Sequence, residues 1–444
     1  MPIEICTIGG FSKTEGNSVA VKINDQVIIL DMGLSMADYV KFQEDFEDIT
    51  TKTYKTLLKA QAVPDYGFIE DWKDKVIAII PSHGHLDHVG AIPFAASLFP
   101  HAPVISTPYT IEVLRTILDD EQIQLTNNLT TVDLNQTYPL SKDIKIEFVH
   151  ITHSIPHTAI LVLHTPYGKV MYANDFKLDD TPILGQKPNY KRIKELGDEG
   201  VKLLIMNCLY APEKKKCPSE SVARQMLKDI MLGTNSRGKA MFVTTFSSHI
   251  ARLKSIIELG KKLNRKIVFL GRSLDKYISA AEKISLVNFS QDIIQEKYTD
   301  KVIKRLRQIQ KSGKDRYLVV CTGHQGEPRA ILSKIARGEL PFTFGDGDMV
   351  IFSCAVIPVE VNIKNREKLE AALSKDNVRI FKDVHVSGHG HLEDHRELLE
   401  MVKPENIIPV HAGPEKAEII KELAAKMGYK NTFVMEDGKR IKLS

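Results

Sequence analysis

SHGHLDHVG (82–90) follows the apolar run VIAIIP (76–81) and places His83, His85, Asp87 and His88 within a few residues of one another. A continuous apolar run of this length reads as a strand buried on both faces, so the four polar side chains fall in the loop at its C-terminal end. Three imidazoles and a carboxylate are borderline ligands that suit Zn²⁺, and Mn²⁺ less strongly. In extended chain alternate residues project the same way, so His83 and His85 can chelate one ion while Asp87 and His88 face a second.

Other strands end in the same residue types. THSIPHT (152–158) offers His153, YANDF (172–176) offers Asp175, and HAG (411–413) offers His411 after the apolar run IIPV. Taken singly, a histidine at a strand end is more often structural than ligating. Together with the 82–90 loop they supply two distorted tetrahedral or five-coordinate shells sharing a water, and the two oxygens of Asp175 can bridge two cations.

Around these clusters the first part of the chain reads as short strands: SVAVKI (18–23) and QVIILDMG (26–33) about the turn pair Asn24-Asp25, IKIEFVHITH (144–153), a hairpin LVLHTPYGKVMYAND (161–175), and VKLLIMN (201–207). From about 208 strands KAMFVTTF (239–246), KIVFLG (266–271), RYLVVCTG (316–323) and DMVIFS (348–353) alternate with helical stretches such as SHIARLKSIIELGKKL (248–263). That alternation predicts a parallel sheet with helices on its faces. After 384 the chain returns to histidine-bearing loops, HVSGHGHLEDH (385–395) and IIPVHAG (407–413), which predicts a domain inserted into another.

The composition is that of an ordinary globular protein: 444 residues, 43% hydrophobic and 26% charged, which excludes wholesale disorder. Sixty Lys+Arg against 56 Asp+Glu is too balanced to argue for nucleic acid from bulk charge. Five scattered cysteines (Cys6, Cys208, Cys217, Cys321, Cys354) without a CxxC pair read as reduced thiols, and the absence of a signal peptide or membrane span adds the expectation of a cytoplasmic protein.

HGHLDH (83–88), His153, Asp175 and the early strand containing Asp31 resemble the metallo-β-lactamase superfamily. SGH (387–389) and HAG (411–413), lying beyond a long insertion, resemble the last motifs of its β-CASP nucleases. HSIPH (153–157), TPYGKVMYANDFKLDDTP (165–182), CTGHQGEPRAILSKIARG (321–338) and GHGHLEDH (388–395) resemble the RNase J ribonucleases, and the likeness runs over nearly the whole chain. Bacterial members carry a further C-terminal domain, whereas here Ser444 follows soon after the last motif, a layout similar to the archaeal type.

The resemblance implies an α/β protein: a metallo-β-lactamase αββα sandwich formed by about 1–207 and 384–444, with a β-CASP domain inserted at 208–383. It implies His83, His85 and His153 on one Zn²⁺ and Asp87, His88 and His411 on the other, with Asp175 bridging and Mn²⁺ as an alternative metal. Asp31 would lie behind the ligands and orient a histidine. His389 would sit near the scissile phosphate, with Asn207 behind it, so that Asp87, Asp175 and His389 carry the catalysis. Two cations roughly 3.5–4 Å apart acidify water and clamp a phosphate, which predicts in-line attack by a bridging hydroxide. Candidate electrophilic helpers are His389 and the amides of the Gly388–Gly390 loop.

For substrate the expectation is single-stranded RNA, hydrolysed from 5′ to 3′ with a preference for 5′-monophosphate ends and with endonuclease activity as an addition. Ser387, Gly388, Gly390 and His391, with Ser247 and Ser248, are candidates for a terminal-phosphate pocket, and Arg272 for a phosphate contact. A homodimer is expected, with neither membrane nor nucleotide cofactor. Competing readings are an endonuclease of the RNA 3′-end-processing type, a small-molecule metallo-hydrolase, and an inactive RNA-binding scaffold. Departures from the family pattern fall at Asn207-Cys208-Leu209-Tyr210, where an Asp-Ser-Thr-Asn run is usual, and at Asn174, His249 and His391. Asn207 carries no negative charge, so any hold on His389 must work by neutral hydrogen bonding.

Overall fold

The computed structural model describes residues 3–45 and 52–443. The chain divides into two compact units. The first runs to Asp179, resumes over Lys187–Cys217 and again from Gly388; the second comprises Asp180–Gln186 and Pro218–Ser387.

The first unit contains two sheets. One has the spatial order β19 (Arg440–Leu443), β1 (Ile3–Gly9), β2 (Ser18–Ile23), β3 (Gln26–Leu30), β4 (Val76–Ile80), β5 (Val104–Ser106), β6 (Leu129–Thr131). The other runs β18 (Ile407–Val410), β11 (Val201–Asn207), β10 (Gly168–Ala173), β9 (Ala159–Thr165), β8 (Lys145–His150), β7 (Thr137–Pro139). Period-two alternation explains the layering. Val19, Val21, Ile28, Leu30, Ala78 and Ile80 of the first sheet share one buried cluster with Phe148, Leu161, Leu163, Tyr172, Leu203 and Ile205 of the second. The intervening residues face outward and are covered in turn: Val27, Ile29 and Ile79 by the helices near 92–118, and Ile160, Val162, Met171 and Met206 by helices Tyr190–Asp198, Leu392–Val402 and Pro414–Lys426. The result is the αββα sandwich. Strands apolar on both faces are what such double coverage requires.

The turns follow local chemistry. Ile23 pairs with Gln26 across Asn24-Asp25, and Asn24 takes a left-handed φ of 53°. Thr165 pairs with Gly168 across Pro166-Tyr167, with φ 115° at Gly168.

The second unit is an all-parallel sheet in the order β14 (Ile293–Glu296), β13 (Lys266–Leu270), β15 (Tyr317–Cys321), β12 (Met241–Thr244), β16 (Met349–Phe352), β17 (Arg379–Phe381). Helix Ile250–Lys262 lies within the stretch read as helical. The edge strands β14 and β17 were not anticipated.

The sequence placed the breaks at 207/208 and 383/384; the chain instead enters the second unit after Cys217 and leaves it after Ser387. Backbone pairing accounts for the shift. Cys208 N–H donates to Val410 O (2.9 Å) and Leu392 N–H to Glu213 O (3.0 Å), keeping 208–217 with the first unit. Segment Asp180–Gln186 belongs to the second because Thr181 Oγ1 donates to Ser219 Oγ (2.7 Å) and Lys254 Nζ to Ile183 O (3.2 Å). All five cysteines are free and buried. Among the described residues no helix is long and apolar enough to cross a membrane.

Candidate metal centre

Parallel strands carry their C-terminal ends to one edge, where loops collect. Asp31 follows β3, the 82–90 loop follows β4, His153 follows β8, Asp175 follows β10, Asn207 ends β11, and His411 follows β18. At that edge the donor atoms of His83, His85, His153 and Asp175 form one compact group and those of Asp87, His88 and His411 another, all within 4.8 Å inside each group. Asp175, His389 and His411 form a third grouping.

The spacing in the first group is that of a coordination shell. His85 Nδ1 lies 3.1 Å from His83 Nε2 and 3.1 Å from His153 Nε2. Asp175 Oδ2 lies 3.4 Å from His83 Nε2 and 3.2 Å from His153 Nε2. A tetrahedron with zinc–nitrogen bonds of about 2.0–2.1 Å has edges of roughly 3.3 Å, so these donors already stand at ligand separations. In the second group His88 Nε2 is 3.5 Å from Asp87 Oδ2, and His411 Nε2 is 3.9 Å from the same oxygen. Asp175 lies between the groups: Oδ2 faces His83 and His153 of the first and His88 of the second, while Oδ1 is 3.6 Å from His411 Nε2.

A second set of bonds aims the histidines. His88 Nδ1 pairs with Asp31 Oδ2 (2.7 Å), His83 Nδ1 with Ser82 Oγ (3.0 Å), His153 Nδ1 with the Gly388 carbonyl (2.6 Å), and His411 Nδ1 with Asn17 Oδ1 (2.9 Å). In each case Nε2 is turned toward the shared centre, as metal-binding imidazoles require, with Asn17 Nδ2 also 3.3 Å from His88 Nε2. Asp31 also accepts from the Ser82 amide (2.6 Å), the Ser82 hydroxyl (3.0 Å) and the Tyr172 hydroxyl (2.8 Å). Asp31 (φ 59°) and His411 (φ 69°) both occupy the left-handed region, strain that the surrounding bonds hold in place.

The electrostatics fit a cation. Burial pushes the His83 imidazole down to about 4, and burial likewise lowers His85, His389 and His411, so their lone pairs stay available. Burial opposes ionisation of Asp87 and Asp175, yet the imidazoles of His88 and His411 hold both well below the usual carboxylate range. Against burial, Asp175, Asp87 and Asp31 raise His88; a divalent ion would compete directly with that proton. The donor set therefore fits divalent metal.

The chain is 41% identical to Ribonuclease J of Pyrococcus abyssi, over 99% of this chain and 97% of that protein. It belongs to the ribonuclease J family. Identity to Ribonuclease J of Methanocaldococcus jannaschii is 40%, covering 97% of this chain and 96% of that one. Ribonuclease J 1 of Streptococcus pyogenes is 31% identical across 100% of this chain and 74% of its own length. Family models agree along the sequence: the metallo-beta-lactamase superfamily over residues 13–217, the ribonuclease J beta-CASP domain over 238–367, and a Zn-dependent metallo-hydrolase RNA specificity domain over 377–435. A crystal structure of a protein of unknown function from Enterococcus faecalis V583 shares the fold, with a TM-score of 0.67 at 16% identity, covering 99% of this chain and 100% of that one.

In this ribonuclease J family member Asn207 is fixed in orientation. Its Oδ1 accepts the Leu209 amide (2.8 Å), so Nδ2 donates to Asp175 Oδ1 (3.1 Å) and faces His389 Nδ1 (3.3 Å). Nδ1 of His389 is then the acceptor, and the ring proton sits on Nε2.

Two loop expectations are corrected. The Gly390 amide donates to Phe176 O (2.6 Å) and the His391 amide to Asp394 Oδ2 (2.9 Å), so neither is left to bind an anion. The Gly388 carbonyl meets His153 Nδ1 at 2.6 Å, in a space where a Cβ would approach Ser154 Cβ to 2.7 Å.

Ser247, Ser248, Arg272 and Ser387 lie in the second unit. Ser247 and Ser248 follow β12 and Arg272 opens the helix after β13; Ser247 Oγ lies 2.9 Å from Ser273 Oγ. Sequence reasoning missed Asn17, Ser82 and Tyr172. For Asn17 the glycine-bracketed stretch GGFSKTEGN (9–17) after β1 was the available signal.

Proposed function

We propose that this protein is a metal-dependent ribonuclease that degrades single-stranded RNA from its 5′ end, prefers 5′-monophosphate termini and also cuts internally. The observation that carries the reading is that one buried carboxylate, Asp175, stands between two donor groups, with Oδ2 facing His83, His153 and His88 and Oδ1 facing His411.

His83, His85, His153 and Asp175 would hold one ion, and Asp87, His88, His411 and Asp175 the other, with Zn²⁺ as the metal these ligands favour and Mn²⁺ as the alternative. Bound there, the ions would supply acidified water and neutralise charge on the phosphoryl oxygens. The chain's own part is orientation and proton placement. Asp31, Ser82, Asn17 and the Gly388 carbonyl aim the imidazoles. His389, with its proton on Nε2, donates toward a phosphoryl or leaving oxygen without having to be cationic.

The polarity is supported by the likeness carried by CTGHQGEP (321–328) and HVSGH (385–389). A homodimer acting in the cytoplasm completes the reading, and sedimentation tests the assembly. The deciding experiment compares products from 5′-monophosphate, 5′-triphosphate and circular RNA. Mononucleotides released fastest from the monophosphate substrate are expected, and labelled fragments that shorten only from the 3′ end would reject the polarity. Rapid cutting of circular RNA, with no preference for free ends, would favour an endonuclease instead.

A further inference from the structure

The chain's excess of positive charge is gathered in one segment. Residues 297–316 hold eight Lys and Arg against two Asp, whereas the whole chain is only +4, so the remainder is slightly acidic. Most of that segment is the helix Thr299–Ser312, which follows the edge strand β14 in the second unit.

The helix is divided by face. Val302, Leu306 and Ile309 are buried in one cluster with Val268, Leu270 and Val319 of the sheet. On the other side Lys301, Lys304, Arg307 and Lys311 are all exposed. With 3.6 residues per turn and 1.5 Å of rise, the four fall within an arc of roughly 120° and along about 15 Å of axis, so one strand can meet them in succession.

Their neighbours are neutralised and they are not. Lys297 pairs with Asp275 (3.1 Å), Arg305 with Glu296 (2.7 Å) and Lys314 with Asp348 (2.5 Å). The four outer cations have no acidic partner among the described residues. The carboxylate on their side, Asp300, sits in the first turn, where it answers the helix dipole. Helix Pro414–Lys426 shows the ordinary solvated pattern instead: Glu415, Glu418 and Glu422 interleave with Lys416, Lys421 and Lys426, and Lys421 bonds Glu418 at 2.9 Å. Like charges one turn apart weaken a helix, so the unpaired row does nothing for the fold.

We propose that this row binds the phosphate backbone of single-stranded RNA, with Tyr298, 57% exposed at the head of the helix, as a platform for a stacked base. The inference rests on the reading of RNA as the substrate. An anionic membrane fits less well, because a helix lying on a membrane buries its apolar face there, and here that face is occupied by the sheet.

The test titrates the full-length protein with single-stranded RNA at several salt concentrations, with chelator present so that cleavage does not interfere. Each phosphate contact to a single strand contributes about 0.7 to the slope of log affinity against log salt, so the triple variant Lys304→Gln, Arg307→Gln, Lys311→Gln should flatten the slope by about 2 and bind at least roughly tenfold more weakly at low salt. Tyr298→Ala should lose affinity on the order of tenfold, and Tyr298→Phe should keep it. The control triple Lys421→Gln, Lys426→Gln, Lys430→Gln, exposed in the first unit, should leave slope and affinity unchanged.

An unaltered slope in the helix variant, or an equal fall in the control, would overturn the proposal. Unchanged RNA affinity with lost retention on phosphatidylserine vesicles would assign the row to a membrane and overturn it too. RNA bound with the expected slopes by a protein that never cleaves it would support the row while the ribonuclease reading falls.

Discussion

Asp31 Oδ2 and His88 Nδ1 meet at 2.7 Å, and both side chains are fully buried. The carboxylate gathers three further donors from Ser82 and Tyr172, joining the loop after β3 to both sheets. Replacing Asp31 with Asn keeps the volume but swaps one acceptor oxygen for a donor facing donors. Partners behind metal ligands are typically worth about 10–100-fold in affinity. Asp31→Asn should lose metal affinity within that range, read by calorimetric titration with Zn²⁺. Wild-type affinity would show that His88 is aimed by something else.

Gly33 gives a packing test of the same loop. A Cβ there would lie 1.7 Å from Asp87 O and 2.9 Å from Asn17 N, where the Asn17 amide bonds that carbonyl at 3.0 Å. Backbone atoms cannot rotate away, so Gly33→Ala must push Asp87 and His88 outward. A loss of about 1–3 kcal/mol, as in overpacked cores, together with reduced metal content is expected. An unchanged thermal midpoint would contradict this close approach.

Much of this was legible because the first unit obeys simple patterns. Runs such as VIAII and VKLLIMN are apolar on both faces, and polar clusters end them, so the strands and the donor residues could be read together. What escaped had physical reasons. β14 (IIQE) and β17 (RIF) are short edge strands, half-buried or exposed at most positions, and carry no alternation long enough to see. Asn17 and Tyr172 reach the site only through the tertiary fold. The Gly390 amide looked available from a glycine-rich loop, but its partner, the Phe176 carbonyl, comes from a distant stretch of chain.

Acid should destabilise the metal-free protein through histidines outside the centre. Burial pushes His395 and His157 down to about 4. His395 is packed against Phe176 and bound to the His391 carbonyl (2.6 Å), and His157 faces His150 and Asp133. Unfolded, each titrates near the ordinary 6.5, so between about 6.5 and 4 the unfolded chain binds more protons. Stability is then full above pH 6.5 and falls as pH drops toward 4, by at most about 1.4 kcal/mol per pH unit for each group. Denaturant melts between pH 7 and 4.5 should show the slope, and His395→Asn should flatten it. An equal slope in the variant would remove His395 from the account.

Asp175 stands between the two donor groups, its Oδ2 facing His83, His88 and His153 and its Oδ1 His411, so its loss should exceed that of any residue behind them. Asp175→Asn should lower RNA cleavage by more than the 10–100-fold typical of an outer partner. It should also abolish the rise in thermal midpoint that excess Zn²⁺ gives the unaltered chain, a rise worth about 2.7 kcal/mol at a hundred times Kd. Retained cleavage in a preparation that has lost this stabilisation would point to a contaminating nuclease.

The most direct measurement is the number and position of ions in crystals of the protein saturated with Zn²⁺, located by anomalous scattering at the zinc edge. Two peaks are expected, one ringed by His83, His85 and His153 and the other by Asp87, His88 and His411, with Asp175 touching both. A well-ordered site with a single peak, or with none at saturating metal, would contradict the paired centre on which the proposed chemistry depends.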